Sequence, residues 1–361
     1  MADRELINHA GLADCEGHVH RRDVLKGMCA MAGALALSPA SWASQSAGTK
    51  PVGLIDVHHH ILPPGASEAM KKLMAGWSAQ VAVAAMDKTG VATGIAYPGP
   101  ILFGTDAERR DKARVWNEFG AKMGQDFPGR FGLFASLPFP NVEHCIAEID
   151  FALTHLKADG FGIATSYGER WLGDESFWPI YEKLNNHGAV VFVHPHDAAC
   201  CTPDKMSTNR VITDGPWIEW PINTARAIMN LLVSGTRRRF PGIRFIFAHG
   251  GGVTPLLVKR ISGFSAWSDV GDEGLKRLFP EGIEAEFRKL YFECAQAVSP
   301  TNVSALRSLV PDSQILFGSD YPFFPLTYGT GQFARLALPA QTARAIGRGN
   351  AGKLLPRWAS S

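Results

Sequence analysis

The sequence predicts an α/β fold, a (β/α)₈ barrel of the TIM type, and three observations support this class. Eight short apolar runs alternate with amphipathic helical patterns from Leu54 onward. The runs lack strict polar alternation, which is typical of parallel strands covered on both faces. The alternative, a doubly wound open sheet, usually carries a glycine-rich phosphate loop after an early strand, and the cluster Gly250-Gly251-Gly252 lacks that spacing.

The predicted elements follow one another along the chain. Strands are expected at Gly53–Val57, Ala92–Tyr97, Phe131–Leu137, Gly160–Ala164, Ala189–His194, Arg244–His249, Leu290–Glu293 and Gln314–Gly318. Helical patterns between them include Thr105–Phe127, Val142–Leu156, Trp178–His187, Pro221–Ser234 and Pro300–Leu309. Two long connections, residues 61–91 and 197–220, follow the first and fifth strands, where barrels build their substrate contacts, so both are predicted lids.

Composition narrows the functional classes. The chain has 361 residues, of which 46% are apolar and 19% charged, and a formal net charge of +2, as in a globular enzyme. The absence of a long basic stripe argues against nucleic-acid binding, and the apolar runs are too short to cross a membrane. Six cysteines are too few for a disulfide scaffold. The adjacent pair Cys200 and Cys201, like Cys145 and Cys294, is expected to remain as free thiols.

Residues 1–43 predict a twin-arginine signal peptide. The pair Arg21-Arg22 precedes a short apolar run at residues 27–37, and small residues stand at Ser41 and Ala43, a pattern typical of a cleavable export signal. An amphipathic N-terminal helix packed on the domain is the alternative. Export would place residues 44–361, the predicted catalytic domain, in the periplasm.

Polar side chains close several predicted strands. His58 and His60 follow the first strand, His194 ends the fifth and Asp320 follows the eighth. Because the carboxyl ends of barrel strands face one mouth, these residues are expected to meet there. In extended backbone the side chains of residues i and i+2 share a face, so His58 and His60 can chelate one ion while His59 points away. Three imidazoles and a carboxylate suit Zn²⁺, with Mn²⁺ possible.

Three further residues are candidates for the site. His249 closes the sixth strand, and spacing alone allows it to be a fourth imidazole ligand, a core histidine or an acid/base that works near neutral pH. His196 lies just beyond the fifth strand, where it can support a ligand or contact substrate. Trp217, in the second long connection, is predicted to contact substrate.

Four segments carry a more specific signal. They are Ile55-Asp56-Val57-His58-His59-His60-Ile61-Leu62-Pro63, Phe192-Val193-His194-Pro195, Phe247-Ala248-His249-Gly250-Gly251-Gly252 and Gly318-Ser319-Asp320-Tyr321-Pro322-Phe323. In this order they resemble the amidohydrolase superfamily, in the branch of aminocarboxymuconate-semialdehyde decarboxylase and the nonoxidative aromatic-acid decarboxylases. The resemblance implies that His58, His60, His194 and Asp320 hold the metal. It also implies that His249 is the catalytic acid/base and that His249 or Asp320 supplies a proton.

Two departures from the family pattern matter. The binuclear branch has a lysine at the end of strand four, whereas this chain has Gly162-Ile163-Ala164-Thr165, which implies one ion per chain. The decarboxylase's carboxylate-binding arginine precedes a Met-Asp pair, and the stretch before Met86-Asp87 contains no arginine. A second family arginine, which reaches the neighbouring subunit, corresponds to Arg260. The resemblance therefore implies a homodimer in which Arg260 contacts substrate.

Three functional hypotheses follow. The first is a metal-dependent decarboxylase, a carboxy-lyase acting on a small cyclic or unsaturated carboxylic acid. The second is a metal-dependent hydrolase of a lactone or amide, which the export signal and the missing arginine favour. The third is a non-catalytic metal-binding protein, and the presence of His249 argues against it.

Overall fold

A sheet of eight parallel strands organises the chain in the computed structural model, which describes residues 53–201, 215–262 and 271–359. The strands are β1 (Leu54–His60), β2 (Val91–Tyr97), β3 (Phe131–Ser136), β4 (Gly160–Ala164), β7 (Val190–His194), β8 (Arg244–Phe247), β9 (Tyr291–Glu293) and β10 (Ile315–Leu316). Hydrogen-bonded neighbours run in the order β1-β2-β3-β4-β7-β8-β9-β10. A small antiparallel pair, β5 (Ser166–Tyr167) and β6 (Arg170–Trp171), follows β4 and was not predicted.

Backbone hydrogen bonds join the last strand to the first. The amide of Val57 donates to the carbonyl of Phe317 over 3.1 Å, and that of His60 donates to the carbonyl of Tyr321 over 2.7 Å. These bonds bring the two edges of the sheet together into a (β/α)₈ barrel, which confirms the predicted fold. The predicted signal peptide lies outside the described residues, as do residues 202–214 of the second predicted lid.

Helices fill the connections between the strands. They are α1 (Glu68–Leu73), α2 (Ala79–Thr89), α3 (Asp106–Asp126), α4 (Val142–Phe151), α5 (Trp178–Asn186), α6 (Glu219–Val233), α7 (Thr236–Arg239), α8 (Thr254–Ser262), α9 (Gly271–Leu278), α10 (Ile283–Phe287), α11 (Pro300–Leu309), α12 (Leu326–Arg335), α13 (Ala340–Arg344) and α14 (Asn350–Leu354). All five helices named from the sequence are present. α3 begins with a capping box in which Thr105 and Glu108 bond each other's backbone amides. The first predicted lid contains helices α1 and α2.

Side chains alternate between two apolar layers. In β7, Val190 and Phe192 belong to a cluster inside the barrel, and Val191 and Val193 belong to the layer beneath the helices. This period of two is what a strand covered on both faces requires. Because His194 continues the inward series 190–192–194, it emerges at the mouth of the barrel.

A bulge in β1 decides which of its histidines face inward. Ile55 and Val57 lie in the inner cluster, so unbroken alternation would turn His59 inward as well. The register shifts, however: Asp56 pairs with Gly94 and His59 pairs with Ala96, so β1 uses one more residue than β2. A bulge of this kind reverses the facing of the residues after it. His58 and His60 therefore face the barrel interior and His59 faces outward.

The described cysteines only partly match expectation. Cys145 and Cys294 are buried free thiols, as predicted. The expectation for Cys200 and Cys201 was wrong, because the structure joins these neighbours by a disulfide. Among the described residues, no helix has the length and apolar character needed to cross a membrane.

We expect Gly162→Ala to destabilise the barrel. A Cβ at this position of β4 would lie 2.0 Å from Cε2 of the fully buried Tyr97, and overpacking of this kind costs about 1–3 kcal/mol or more. Gly331→Ala, where the nearest atom is a flexible arginine nitrogen 3.5 Å away, is the control and should be neutral or mildly stabilising. Thermal unfolding measures both; a Gly162→Ala protein as stable as wild type would contradict this packing.

Candidate active site

Four side chains predicted from the sequence converge at the mouth of the barrel. One ligand atom from each of His58, His60, His194 and Asp320 lies within 4.8 Å of the others. The Nε2 atoms of His58 and His60 are 3.0 Å apart. All four residues are buried. The structure therefore brings together the whole predicted ligand set.

The donor set fits a divalent cation. Oδ1 of Asp320 lies 3.2 Å from Nε2 of both His58 and His60, yet this buried atom has no well-directed hydrogen bond from a described residue. Nδ1 of His194 lies 2.7 Å from the carbonyl oxygen of Pro195 and donates to it, which leaves Nε2 as the available electron pair. Three imidazoles and a carboxylate match zinc ligation, and manganese also accepts such a set.

The outward histidine of β1 has a structural role. Nδ1 of His59 lies 2.9 Å from Oδ2 of Asp56. The same carboxylate accepts the backbone amide of Ser319 over 2.9 Å and also its hydroxyl group. Asp56 thus ties β1 to the segment that carries Asp320. As predicted, His59 points away from the cluster that contains His58 and His60.

Neighbouring charges and burial shift the pKa values of the three inward histidines in different directions. Burial lowers the pKa of His58, but the carboxylates of Glu293 and Asp320 outweigh burial and raise that pKa to about 10. Burial lowers the pKa of His60, and burial together with the neighbouring histidines holds the pKa of His194 well below its usual value. Burial raises the pKa of Asp320, but the charge of His58 outweighs it and holds the pKa well below the usual range. Without a metal, the cluster therefore keeps a proton on His58 at neutral pH.

His249 lies beside this cluster on an unusual turn. Its ring is 5.0 Å from that of His58 and 5.8 Å from that of His194, measured between centroids. The residue has a φ of 56°, and Gly250, Gly251 and Gly252 after it also have positive φ. A Cβ on Gly252 would lie 2.1 Å from the carbonyl oxygen of Pro221. The glycines therefore let the turn pack closely against α6 and hold His249 at the mouth.

Sequence reasoning missed Glu293. This fully buried residue ends β9, and its Oε1 lies 2.8 Å from Nδ1 of His58. The signal was available, because the seventh predicted strand ends in a carboxylate after an otherwise apolar run. Two of its partners, His58 in β1 and His249 after β8, are distant in sequence, and a single sequence does not show that they contact it.

A cavity of about 560 Å³ opens beside His249 and Asp320. Its other described lining residues are mostly apolar: Pro216, Trp217, Trp220, Pro221, Gly250, Gly252, Val253, Pro255, Leu256, Gln296, Ala297, Thr301, Asn302, Ala305 and Phe324. Among the described lining residues there is no lysine or arginine. Trp220, which was not singled out, is fixed by donating to Oδ1 of Asp197 over 2.7 Å, and its ring lies 5.8 Å from that of His194.

The other predicted substrate contacts differ in position. Trp217 lines the cavity and is 67% exposed, so it can move against a ligand. His196 follows β7 and is half-buried, with Nε2 2.7 Å from the carbonyl oxygen of Ser166, to which it can donate. Arg260 is exposed on α8 and is not part of the cavity lining. Substrate contact by Trp217, His196 and Arg260 stays a prediction.

Comparison with known proteins identifies the family. The family model described as Amidohydrolase matches residues 55–357. The chain belongs to the amidohydrolase family. This agrees with the barrel and the histidine-rich mouth, and it confirms the resemblance drawn from the four segments.

The chain's relatives within this family include decarboxylases. It is 31% identical over 328 residues to decarboxylase yanB of Aspergillus niger, covering 84% of this chain and 88% of the relative. It is 31% identical over 320 residues to 6-methylsalicylic acid decarboxylase of Penicillium expansum, covering 84% and 96%. A crystal structure of 5-carboxyvanillate decarboxylase from Novosphingobium aromaticivorans, complexed with manganese and 4-hydroxy-3-methoxy-5-nitrobenzoic acid, has a TM-score of 0.72 at 18% identity, covering 85% and 96%.

We expect metal binding to release a proton. His58 must lose its proton before Nε2 can bind an ion, and its pKa of about 10 lies above neutral pH. Calorimetric titration of metal-free protein with Zn²⁺ at pH 7.5, in buffers of different ionisation enthalpy, should show close to one proton released per ion. Affinity should rise about tenfold per pH unit between pH 6.5 and 8. Heats that are the same in every buffer would contradict the protonated cluster.

The same pKa predicts the stability of the metal-free protein. A histidine whose pKa is higher in the folded than in the unfolded state stabilises fully below about pH 6.5, the unfolded value. The contribution of His58 is therefore lost as the pH rises from 6.5 through about 10. Zinc should reverse this trend, since the bound ion replaces the proton.

Proposed function

We propose that the chain is a metal-dependent decarboxylase of a small aromatic carboxylic acid. One observation supports the proposal most strongly. The buried cluster of three histidines and one aspartate, with His249 beside it, adjoins a largely apolar cavity that includes Trp217, Trp220 and Phe324. Aromatic walls suit a flat ring. Relatives named for 6-methylsalicylic acid decarboxylation support the substrate class.

The proposed reaction needs a proton donor more than a nucleophile. A proton adds to the ring carbon that carries the carboxylate, the carbon–carbon bond then breaks, its electron pair returns to the ring, and CO₂ leaves. Nδ1 of His249 lies 3.2 Å from the carbonyl oxygen of Ala295. If Nδ1 donates there, Nε2 is the atom that takes up and delivers the proton. Asp320, the other donor that the resemblance implies, would first have to take up a proton, because its pKa lies well below the usual range.

A bound ion would be held by His58, His60, His194 and Asp320. It would supply a positive charge near the substrate carboxylate, the part that the resemblance assigns to the arginine missing before Met86-Asp87. We propose one ion per chain and favour Zn²⁺ from the three imidazoles. Mn²⁺ is the alternative, supported by the manganese in the 5-carboxyvanillate decarboxylase structure. Reconstituting metal-free protein with each ion separates the two.

The apolar walls favour loss of a carboxylate. Conversion of a charged carboxylate into neutral CO₂ is easier where the surrounding walls exclude water and offer the carboxylate no cation. Since no described lysine or arginine lines the cavity, little stabilises the starting carboxylate except the cluster itself.

Isotope labelling tests the reaction. Metal-loaded protein is incubated in D₂O with 6-methylsalicylate or 2,6-dihydroxybenzoate carrying ¹³C in the carboxyl group. We expect labelled CO₂ and one deuteron at the vacated carbon. A parallel assay with aromatic lactones and amides tests the hydrolase. Hydrolysis with acid release, and no labelled CO₂, would contradict the proposal and favour the second hypothesis.

We also propose that a homodimer completes the site, with Arg260 reaching the partner's substrate. Arg260→Ala should then raise KM without loss of bound metal. Sedimentation of the wild-type protein as a monomer would exclude this part of the proposal.

Replacing His249 by Ala should separate its possible roles. As an acid/base, the variant keeps close to one ion per chain but loses about 10²–10⁴-fold in kcat. Elemental analysis and steady-state kinetics measure the two quantities. Loss of the metal would instead make His249 a ligand, and unchanged turnover would make it a structural residue.

We further propose that residues 1–43 export the enzyme to the periplasm. Replacing Arg21 and Arg22 with Lys should leave the precursor in the cytoplasm, because the twin-arginine export machinery recognises this pair. Fractionation followed by N-terminal sequencing measures the outcome. Processed variant in the periplasm would contradict the assignment of this signal.

A further inference from the structure

Glu293 occupies an enclosed position between two functional histidines. Its Oε1 accepts from Nδ1 of His58 over 2.8 Å and from the backbone amide of His249 over 2.7 Å. Its Oε2 accepts from the backbone amide of Ala295 over 2.6 Å. Three N–H donors thus meet one carboxylate that is fully buried.

The neighbouring chain leaves room for this carboxylate. A Cβ on Gly318 would lie 2.0 Å from Oε2 of Glu293 and 3.0 Å from Cβ of His58. Gly318 does not have a positive φ, so the backbone conformation does not explain the absence of a side chain. The space is needed for Glu293.

The bond to His58 fixes how that imidazole can be used. A carboxylate accepts at Nδ1, which places the hydrogen there and leaves the lone pair of Nε2 toward His60 and Asp320. The same oxygen holds the backbone of His249, a residue with a φ of 56°. Most non-glycine residues avoid this region, so an anchor at its amide helps to keep the imidazole at the mouth.

We infer that Glu293 is a positioning residue that orients the metal ligand His58 and holds the acid/base His249 in register with it. One carboxylate thereby couples the position of the ion to the position of the proton donor. The inference rests on the proposed function for the role of His249, but the effect on metal binding can be tested without any substrate.

Two substitutions distinguish the effect of the position of the Glu293 carboxylate from the effect of its charge. Glu293→Gln is almost isosteric, but its amide must turn an NH₂ group toward at least one of the three N–H donors. Glu293→Asp keeps the negative charge and draws the carboxylate back from His58 and His249. A positioning role predicts that both variants bind Zn²⁺ about 10–100-fold more weakly in competition with a chelator, the usual effect of losing such a partner.

Glu148→Gln is the matched control. Glu148 is a buried carboxylate, 2% exposed, that binds Arg114 and Asn117 away from the mouth. Its variant should lower thermal stability and leave Zn²⁺ affinity unchanged. Equal losses of affinity in Glu148→Gln and Glu293→Gln would overturn the inference, since general destabilisation would explain both.

Kinetics at saturating Zn²⁺ tests the second half of the inference. A displaced His249 should lower kcat while KM changes little. Wild-type affinity in Glu293→Asp would show that charge alone matters and would overturn the inference, and this variant decides the question even if Glu293→Gln does not fold. If the Glu293 variants bind zinc weakly but the wild-type protein decarboxylates none of the tested acids, the proposed function is refuted. The positioning of His58 by Glu293 then remains supported.

Discussion

The mouth of this barrel depends on burying acidic and imidazole groups together. Asp56, Glu293 and Asp320 are each less than a tenth exposed, and a buried carboxylate is costly unless it is paired. Asp56 is satisfied by His59 and Ser319, and Glu293 by His58 and two backbone amides. Asp320 is left facing two imidazole nitrogens, the position in which a cation completes the charge balance. These pairings also join β1, β9 and the segment after β10, so the closure of the barrel and the metal cluster stabilise one another.

The cavity combines a few ionisable residues with a largely apolar lining. Asp320 and His249 bring ionisable groups to the cavity, whereas its other described lining residues are largely tryptophans, prolines and small or apolar residues. Three neutral polar residues, Gln296, Thr301 and Asn302, also line it. The largely apolar lining suits the flat ring of the proposed substrate class.

Much of this arrangement could be predicted from the sequence, for identifiable reasons. Strand ends of a parallel barrel share one mouth, so His58, His60, His194 and Asp320 were expected to meet, and they do. The direction in which the β1 histidines point depends on a bulge between Asp56 and His59. The inward residues Ile55 and Val57 do not reveal this bulge in the sequence. Glu293 was missed because two of its three donors, Nδ1 of His58 and the amide of His249, come from distant segments. The bond between Cys200 and Cys201 could not be predicted, because six cysteines do not form a disulfide framework and the sequence does not show the local backbone geometry that joins two neighbours.

Elemental analysis of the dialysed full-length protein tests the central claim most directly. The claim is that these strand ends build one buried site for one divalent ion. We expect close to one zinc or manganese per wild-type chain, and very little in His194→Ala, which should also unfold at a lower temperature because a bound metal stabilises only the folded state. Two ions per wild-type chain, or a His194→Ala protein that keeps its metal, would contradict the account.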